Sequence, residues 1–510
     1  MKNMVIQRFI MPALLALLAW PAMAQPAKET NTTSAPKPNI VFILADDLGY
    51  MDVGFNNPHT FYDTPVLNKM AGESVRFTAG YAASPVCTPT RASMMTGQYP
   101  ARTRNTDYSG GPNGRAVIPE DPTDMKGGDF KWHAGRPILP APYLEALAHS
   151  HTTVAEAFKS KGYATLSAGK WHLGDEGSWP QDHGFDINIA GVRGGAPVSY
   201  FSPYRNPNLP DGPVGEHLPD RLATEVAKFI NAHKDKPFFV YLPFYSVHTP
   251  LQGRPDLVKK YEEKRARLGL KPEFEDESPR QNLTVQQHPV YAAMVEAIDE
   301  AIGKVLKSID DNGLREDTIV VFFSDNGGLS TDEGHPTSNL PLRAGKAWAY
   351  EGGIREPMLV RWPGKAKAGA VCNVPVISTD FYPTLLELCG LDPLPGQHVD
   401  GVSFAKLLMD PKASHDRSPL FWHYPHWGNS GGIPYSAIRN GDWKLIRYYW
   451  NKEPELFNLA NDLGERKNLA QVNREKFDEL SAKLDAMLKD TDALLPFPNP
   501  KPAKRPLTKW

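Results

Sequence analysis

Three acids and an amide occur as two pairs that suit a metal ion. Asp46 and Asp47 follow the apolar run NIVFILA, and Asp325 and Asn326 lie just beyond the run TIVVFF. Carboxylate and amide oxygens are ligands of hard cations such as calcium or magnesium, whereas zinc prefers nitrogen and sulfur. An isolated aspartate after a strand is more often a helix cap or a turn former. The prediction of an oxygen-ligated cation site therefore depends on these four residues meeting in the fold.

Basic residues follow two further apolar runs. Lys170 and His172 come after YATLSA, and His248 comes shortly after FFVYL. Histidine transfers protons near neutral pH, and lysine supplies a compact positive charge. Each of these residues alone is more often a solvated or hydrogen-bonded side chain. Their occurrence after strands, in the same pattern as the acids, indicates a site that handles a negatively charged group.

Four predicted strands would bring these residues to one edge of a sheet. The strands are apolar and rich in β-branched residues: Asn39–Ala45, Tyr163–Ala168, Pro237–Leu242 and Thr318–Phe323. Helical patterns lie between them, at Thr153–Lys161, Pro219–Lys234 and Pro289–Asp311. This alternation predicts an α/β fold with a buried, mostly parallel sheet flanked by helices. Ligands of such sheets bind at the carboxyl ends of the strands.

One cysteine lies in a distinctive context, SPVCTPTRASMMTGQYPAR. Cys87-Thr88-Pro89-Thr90-Arg91 matches the Cys-x-Pro-x-Arg signature of type I sulfatases, and the resemblance covers nearly the whole mature chain. Further matching motifs are Asp46-Asp47-Leu48-Gly49, Gly169-Lys170-Trp171-His172-Leu173-Gly174, Val247-His248-Thr249-Pro250, Asp325-Asn326-Gly327-Gly328, and Lys346 ahead of Tyr350-Glu351-Gly352-Gly353. With Pro336-Thr337-Ser338-Asn339, the chain most resembles bacterial carbohydrate sulfatases.

The resemblance implies an alkaline-phosphatase-like fold and a modified nucleophile. In the family, a maturation enzyme oxidises the cysteine to formylglycine (3-oxoalanine), so Cys87 is expected to become an aldehyde hydrate. One hydroxyl of the hydrate attacks sulfur, and the other then expels sulfate, which divides a difficult step into two easier ones.

The resemblance also implies a ligand set and a role for each basic residue. One Ca²⁺ would be held by Asp46, Asp47, Asp325 and Asn326, with an oxygen of formylglycine 87 nearby. Arg91, Lys170 and Lys346 would stabilise the remaining negative charge of the sulfate. His172 would act as the base for the second hydroxyl, and His248, acting with Lys346, would protonate the leaving alcohol.

The expected substrate is a sulfated saccharide, for example a galactose, N-acetylgalactosamine or fucose sulfate. Residues 105–142 and 327–343 are expected to form the rim of the pocket. Aromatic residues in Phe421–Trp427 are equally consistent with stacking on a sugar and with packing between domains. The candidates for substrate contact, each more often structural, are His183, Arg193, His335, Arg343 and His423, with His426 beside them.

The N-terminus is typical of an exported protein. Lys2 and Arg8 precede an apolar stretch that ends in the small-residue site Ala22-Met23-Ala24. We expect a signal peptide at 1–24, a flexible leader at 25–37, and a periplasmic or secreted mature protein without a membrane span. The net charge of −2 gives no basic excess for binding nucleic acid.

Two domains are expected after the leader, a catalytic domain at 38–394 and a C-terminal α+β subdomain at 395–510. The subdomain is predicted to contain a small antiparallel sheet with a hairpin turn at Asn440-Gly441. Its strands are Leu420–Tyr424, Ser436–Ile438, Trp443–Tyr449 and Glu455–Asn458, and its helix is Arg474–Lys489.

Two other functions and one pairing stay open. A phosphomonoester or phosphonate hydrolase of the same superfamily is the main alternative, although such enzymes usually combine Ser or Thr with zinc and more histidines. A calcium-stabilised module that binds sulfated glycans would leave Cys87 unmodified. The two remaining cysteines, Cys372 and Cys389, are consistent with a disulfide or with two buried thiols.

Overall fold

The computed structural model describes residues 37–108, 136–417 and 419–499. The predicted signal peptide and all of the leader except Lys37 lie outside these ranges. None of the described helices combines the length and apolarity that a membrane span requires. The described residues from Lys37 onward belong to one compact unit, and the domain boundary expected at 394/395 stays a prediction.

The strands are, in chain order, β1 (Asn39–Ala45), β2 (Val75–Tyr81), β3 (Ile138–Leu139), β4 (Ala164–Ala168), β5 (Ile187–Ile189), β6 (Phe238–Pro243), β7 (Phe274–Glu277), β8 (Arg280–Leu283), β9 (Thr318–Ser324), β10 (Arg355–Arg361), β11 (Val371–Cys372), β12 (Val376–Ile377), β13 (Leu420–Tyr424), β14 (Tyr435–Asn440), β15 (Trp443–Tyr448), β16 (Glu455–Asn458) and β17 (Phe497–Pro498). The α-helices are α1 (Pro65–Gly72), α2 (Cys87–Thr96), α3 (Pro100–Thr103), α4 (Val154–Ser160), α5 (Leu218–Ala232), α6 (Pro255–Leu268), α7 (Pro289–Asp311), α8 (Glu351–Ile354), α9 (Phe381–Leu388), α10 (Ala405–Met409) and α11 (Arg474–Asp490).

The large sheet is mixed and mostly parallel, as predicted. Its order is β11-β2-β10-β9-β1-β6-β4-β5, with β12 also paired to β2. Strand β10 runs antiparallel to both of its neighbours, β9 and β2, and the other pairs are parallel. Sequence reasoning missed β2 and β10, because charged residues and Pro357 interrupt their apolar residues.

Both faces of the large sheet are covered by helices. Along β1, Val41 and Ile43 lie in an apolar cluster with residues of α5 and α7. Ile40, Phe42 and Leu44 lie in a second cluster with residues of α4 and α9. Successive residues of a strand point to opposite faces, so burial on both faces explains why the strand is an unbroken apolar run.

A smaller antiparallel sheet, in the order β13-β14-β15-β16, lies near the C-terminus. The predicted turn is present, because β14 ends at Asn440 and Gly441 has a left-handed φ of 60°. Leu480 and Leu484 of α11 lie in one apolar cluster with residues of this sheet and of β2. The predicted combination of a large mixed sheet with a smaller antiparallel sheet and helix is therefore confirmed.

Candidate active site

The register of the sheet brings the two acidic pairs together. Ala45, at the end of β1, lies opposite Ser324, at the end of β9. The next residues, Asp46 and Asp325, therefore leave adjacent strands side by side. The backbone amide of Asp47 then donates to Oδ1 of Asp325 over 3.2 Å. We call Asp46, Asp47, Asp325 and Asn326 the floor.

Each carboxylate of the floor has a buried cationic partner. Lys170 Nζ lies 2.9 and 2.7 Å from the two carboxylate oxygens of Asp46. Lys346 Nζ donates to Asp47 Oδ2 over 2.8 Å. Arg91 donates through Nε and Nη2 to Asp325 Oδ2 over 2.9 and 2.7 Å. Because charges without partners are very unfavourable in a buried site, these pairs make the floor possible.

The floor has the oxygen donors that a hard cation needs. Asn326 donates through Nδ2 to Asp47 Oδ1 over 2.8 Å, while its own Oδ1 is buried and has no hydrogen-bond partner in the described ranges. One oxygen each of Asp46 and Asp325 lies with the Cys87 sulfur within 4.8 Å of one another. This donor set fits calcium or magnesium better than zinc.

Burial and charge act in opposite directions on the two aspartates after β1. Burial raises the pKa of the Asp46 carboxyl well above its usual range, and Lys170 offsets only part of this effect. Burial also opposes ionisation of Asp47, but the Lys346 ammonium and then His248 hold the pKa of that carboxyl below its usual range. Burial thus disfavours the ionised form of Asp46, whereas nearby positive charge keeps Asp47 ionised.

Cys87 is the first residue of α2, whose ten residues are all buried. Burial raises the pKa of its thiol to about 12, although Lys170 and Lys346 act in the opposite direction. The thiol is therefore protonated at neutral pH. Since the thiolate is the reactive form of cysteine, the unmodified side chain is a poor nucleophile here.

The two predicted catalytic histidines are held by backbone contacts. His248 Nδ1 lies 2.7 Å from the Thr249 carbonyl oxygen, and its Nε2 lies 3.7 Å from Asp47 Oδ2. Burial, followed by the charge of Lys346, lowers the pKa of His248 to about 3. His172 has a left-handed φ of 60°, and a β-carbon at Gly195 would lie only 2.5 Å from its Cε1. Glycine at 195 thus allows the chain to lie against this ring.

A cavity of about 300 Å³ opens above the floor. Four of the predicted catalytic residues line it, namely Cys87, His172, His248 and Lys346. Arg91 and Lys170 are fully buried and do not line the cavity. They hold the carboxylates of the floor from behind, and a direct contact of either with substrate stays a prediction. We call this space the catalytic cavity.

The sequence predicted the upper wall of the catalytic cavity only as segments and not as individual residues. This wall, which we call the rim, consists of Tyr108, Glu333, Tyr424, Asn429 and Ser430. Asn429 Nδ2 donates to the Tyr108 hydroxyl over 3.0 Å, and Thr249 Oγ1 donates to Glu333 Oε2 over 3.0 Å.

Only weak signals in the sequence pointed to the rim. Tyr108 lies in the segment 105–142 and Glu333 lies in the segment 327–343, both of which were expected to contribute. Residues 109–135 of the first segment lie outside the described ranges. Tyr424 belongs to the aromatic run, but Trp422 and Trp427 are buried in packing contacts.

The candidates for substrate contact do not line the catalytic cavity. His183 bonds to Ser178 Oγ over 2.7 Å and stacks on His149. His423 is buried between Ser436 Oγ and the Leu494 carbonyl, and burial lowers its pKa to about 4.

The other candidates also have structural partners. The guanidinium of Arg343 lies 3.9 Å from the Tyr350 ring centre and pairs with Glu277. His335 packs against Phe274, and buried His426 lies 2.8 Å from Thr106 Oγ1. Arg193 lines a different cavity.

Cys372 and Cys389 are free thiols.

Comparison with known families extends over most of the chain. A family model described as Sulfatase matches residues 38–391. A second model, described as N-sulphoglucosamine sulphohydrolase, C-terminal, matches residues 344–493. The two matches overlap and together span both sheets.

Individual relatives show the same likeness. The Sulfatase of Formosa agariphila is 31% identical, over 92% of this chain and 90% of that protein. Human N-acetylgalactosamine-6-sulfatase is 29% identical, over 91% of this chain and 88% of that protein. The crystal structure of Ps i-CgsB in complex with k-i-k-neocarrahexaose superimposes with a TM-score of 0.71 at 27% identity, over 92% of this chain and 95% of that one.

Proposed function

Because the chain belongs to the sulfatase family and is a sulfuric ester hydrolase, we propose that it hydrolyses a sulfate ester on a saccharide. The observation that carries the proposal is the catalytic cavity, where residue 87 lies with two histidines and a lysine above a buried acidic floor. A relative named N-acetylgalactosamine-6-sulfatase, and a solved relative in complex with k-i-k-neocarrahexaose, support a carbohydrate substrate.

We propose that residue 87 acts as formylglycine, produced from Cys87 by a maturation enzyme. The buried, protonated thiol is a poor nucleophile. A hydrated aldehyde offers one hydroxyl to attack sulfur and a second that can be deprotonated to expel sulfate. His172 lines the same cavity, and we assign to it the role of accepting that second proton.

Asp46, Asp47, Asp325 and Asn326 are the residues that would hold calcium. When bound, the ion would stabilise negative charge on the sulfate oxygens and favour ionisation of the hydrate. Arg91 and Lys170 keep the carboxylates oriented through the bonds already described. The cavity itself adds Lys346. Burial disfavours the ammonium form of Lys346, but the Asp47 carboxylate outweighs burial and holds its pKa well above the usual value.

Departure of the sugar requires a proton on the leaving oxygen. Lys346 carries a proton, and His248 lies beside it near Asp47. We propose that these two residues together protonate the leaving alcohol: the Lys346 ammonium supplies the proton, and His248, which burial keeps neutral at rest, takes it up and passes it to the leaving oxygen. An alkoxide is a poor leaving group, so the contribution should be largest for sugars and small for nitrophenol.

The rim is suited to a polar sugar ring. Glu333 accepts hydrogen bonds and would bind donors such as sugar hydroxyls, while the partly exposed ring of Tyr108 offers apolar surface next to polar groups. The carboxylate of Glu333 would disfavour a second anion at this position.

The decisive experiment combines maturation with a substrate panel. The protein is co-expressed with a formylglycine-generating enzyme, loaded with calcium, and incubated with defined sulfated saccharides and the matching phosphates. We expect sulfate release from at least one saccharide, and peptide mass spectrometry should show an aldehyde at residue 87. Sulfate release by protein that retains a cysteine thiol, or hydrolysis of phosphates alone, would contradict the proposal.

We also propose that the protein is exported and that residues 1–24 are removed. N-terminal sequencing of the protein from a periplasmic fraction should begin after Ala24, where the small-residue site ends. A mature chain that begins at Met1 would contradict this expectation.

A further inference from the structure

A second cavity lies beside the catalytic cavity and shares a wall with it. Its volume is about 270 Å³. Ala196 lines both cavities, Gly195 lines the catalytic one, and Val192, Arg193 and Gly194 line the second. We call residues 192–196 the shared wall. A molecule bound in the catalytic cavity therefore has this space next to it.

The shared wall is tied to the catalytic residue His172. The backbone amide of His172 donates to the Val192 carbonyl over 3.1 Å, and Gly195 lies against the imidazole ring. The shared wall thus borders both cavities, and its contacts with His172 fix its position relative to the active site.

The second cavity is lined mainly by apolar and aromatic surface. The hydroxyl of Tyr204 donates to the Glu216 carbonyl over 3.0 Å, and that of Tyr245 to the Ala190 carbonyl over 2.8 Å. Since these hydroxyls already have acceptors, the rings offer apolar surface to the cavity. Trp179 lines it as well, and its backbone is held by two bonds of 2.9 Å with Asp182. Rigid aromatic surface of this kind binds the apolar faces of sugar rings.

The charged residues that line the second cavity include one guanidinium without a partner in the described ranges. They are Arg193, Arg205 and Asp175. Arg193 is neutralised by Glu145, with which it forms a close ion pair. Asp175 is exposed and bonds to a backbone amide. Arg205 is exposed, and its guanidinium has no hydrogen-bond or ion-pair partner in the described ranges. One guanidinium is therefore available to a ligand, and guanidinium groups bind carboxylate and sulfate with two parallel hydrogen bonds.

We propose that the second cavity is a subsite for the saccharide unit next to the one that carries the scissile sulfate, and that Arg205 binds an anionic substituent of that unit. This inference rests on the proposed function. It assigns the protein a preference for acidic oligosaccharides over monosaccharide sulfates, because only a substrate of two or more units fills both cavities.

The test compares substrates of increasing size on calcium-loaded, formylglycine-bearing protein. The substrates are a monosaccharide sulfate and three disaccharides in which the neighbouring unit is neutral, carries a carboxylate, or carries a second sulfate. The variants are Trp179→Ala and Arg205→Gln. Their matched controls are Trp450→Ala and Arg267→Gln, which change exposed residues that line neither cavity.

Trp179→Ala should lower kcat/KM for all three disaccharides by about 10-fold and leave the monosaccharide sulfate unchanged. Arg205→Gln should lower kcat/KM by about 10-fold for a disaccharide with an acidic neighbour, but not for the neutral one. The control variants should match the wild type. A loss with the carboxylate, the sulfate or both supports the subsite and identifies the anion.

The opposite results are distinct from failure of the proposed function. If both variants affect the monosaccharide and the disaccharides equally, or if Arg205→Gln affects none of them, the subsite is wrong while the sulfatase activity stands. If the wild type releases sulfate from no saccharide, the proposed function is wrong and the subsite with it. Because Arg205 is exposed, Arg205→Gln should fold normally. It therefore still tests the subsite if Trp179→Ala does not fold.

Discussion

The floor and the rim of the catalytic cavity differ in how their side chains are held. In the floor, Asp46, Asp47 and Asp325 are buried and each is bound by a lysine or arginine. In the rim, Tyr108 and Glu333 are partly exposed, and each has a single hydrogen bond to a neighbouring side chain. A change in the floor leaves a buried charge without its partner, whereas a change at Tyr108 or Glu333 leaves a group that water can solvate.

This difference separates the chemistry from the choice of substrate. The residues of the floor depend on one another for their charge partners, so a change in one disturbs the others. We therefore expect the floor to support the same reaction whichever substrate is bound. Partly exposed or exposed residues of the rim and the second cavity, such as Glu333 and Arg205, can change without unfolding the protein, so substrate preference can vary around an unchanged reaction. Four substitutions test this comparison.

The largest effect is expected at residue 87. Cys87→Ala removes the precursor of the nucleophile, and sulfate release should fall by more than about 10³-fold. Circular dichroism and the unfolding midpoint should stay close to those of the wild type, since the change is small. Cys372→Ala, at a buried thiol outside the cavity, is the matched control and should retain activity. Full activity of Cys87→Ala would refute the nucleophile.

The next effect concerns stability of the floor. Asp325→Ala removes the nearer carboxylate of buried Arg91, whose other partner Asp46 lies 3.7 Å away. We expect the free energy of unfolding to fall by about 3–5 kcal/mol. Urea unfolding in the presence of a chelator measures this loss of folding stability without a contribution from metal binding. Asp478→Ala breaks an exposed pair with Arg474 and should cost less than about 1 kcal/mol. Equal losses of unfolding free energy in the two variants would show that the buried ion pair stabilises the fold no more than the exposed pair does.

An intermediate effect is expected at His248. His248→Ala should lower kcat for a sugar sulfate by about 10²-fold and have a much smaller effect on nitrophenyl sulfate, whose leaving group needs no proton. The informative quantity is the ratio of the two losses. A ratio near one would argue against an acid role and favour a positioning role through Asp47.

The smallest effect is expected in the rim. Glu333→Gln keeps the size of the side chain but removes its charge, and KM for a saccharide sulfate should rise by about 3- to 10-fold with kcat little changed. Glu316→Gln, on the loop before β9 and outside the cavity, is the control. A large fall in kcat instead would place Glu333 in the reaction and weaken the division between floor and rim.

Much of the large sheet and all of the floor were predictable from local patterns. Strand β1 was predicted with its observed bounds, and β9 with an error of one residue, because strands buried on both faces are apolar runs. Strands β2 and β10 were missed because the sheet, and not their own composition, makes them strands.

The rim was not predictable in the same way. Tyr424 and Asn429 lie more than 300 residues from Cys87 in sequence, and nothing near them distinguishes residues of a cavity from residues of a core. His423, one position before Tyr424, was a candidate for substrate contact but is buried between Ser436 and Leu494. Alternation along a strand sends neighbouring side chains to opposite faces, so only the position of the sheet decides which one reaches the cavity.

The sequence alone determined the family, the α/β fold and the residues of the floor, because each of these depends on short motifs next to apolar strands. The tertiary structure decided which basic residues line the catalytic cavity, which support the floor from behind, and which wall is shared with a second cavity. The physical reason is that local composition specifies strands and turns, whereas the walls of a cavity are formed by segments that meet only when distant parts of the chain pack together.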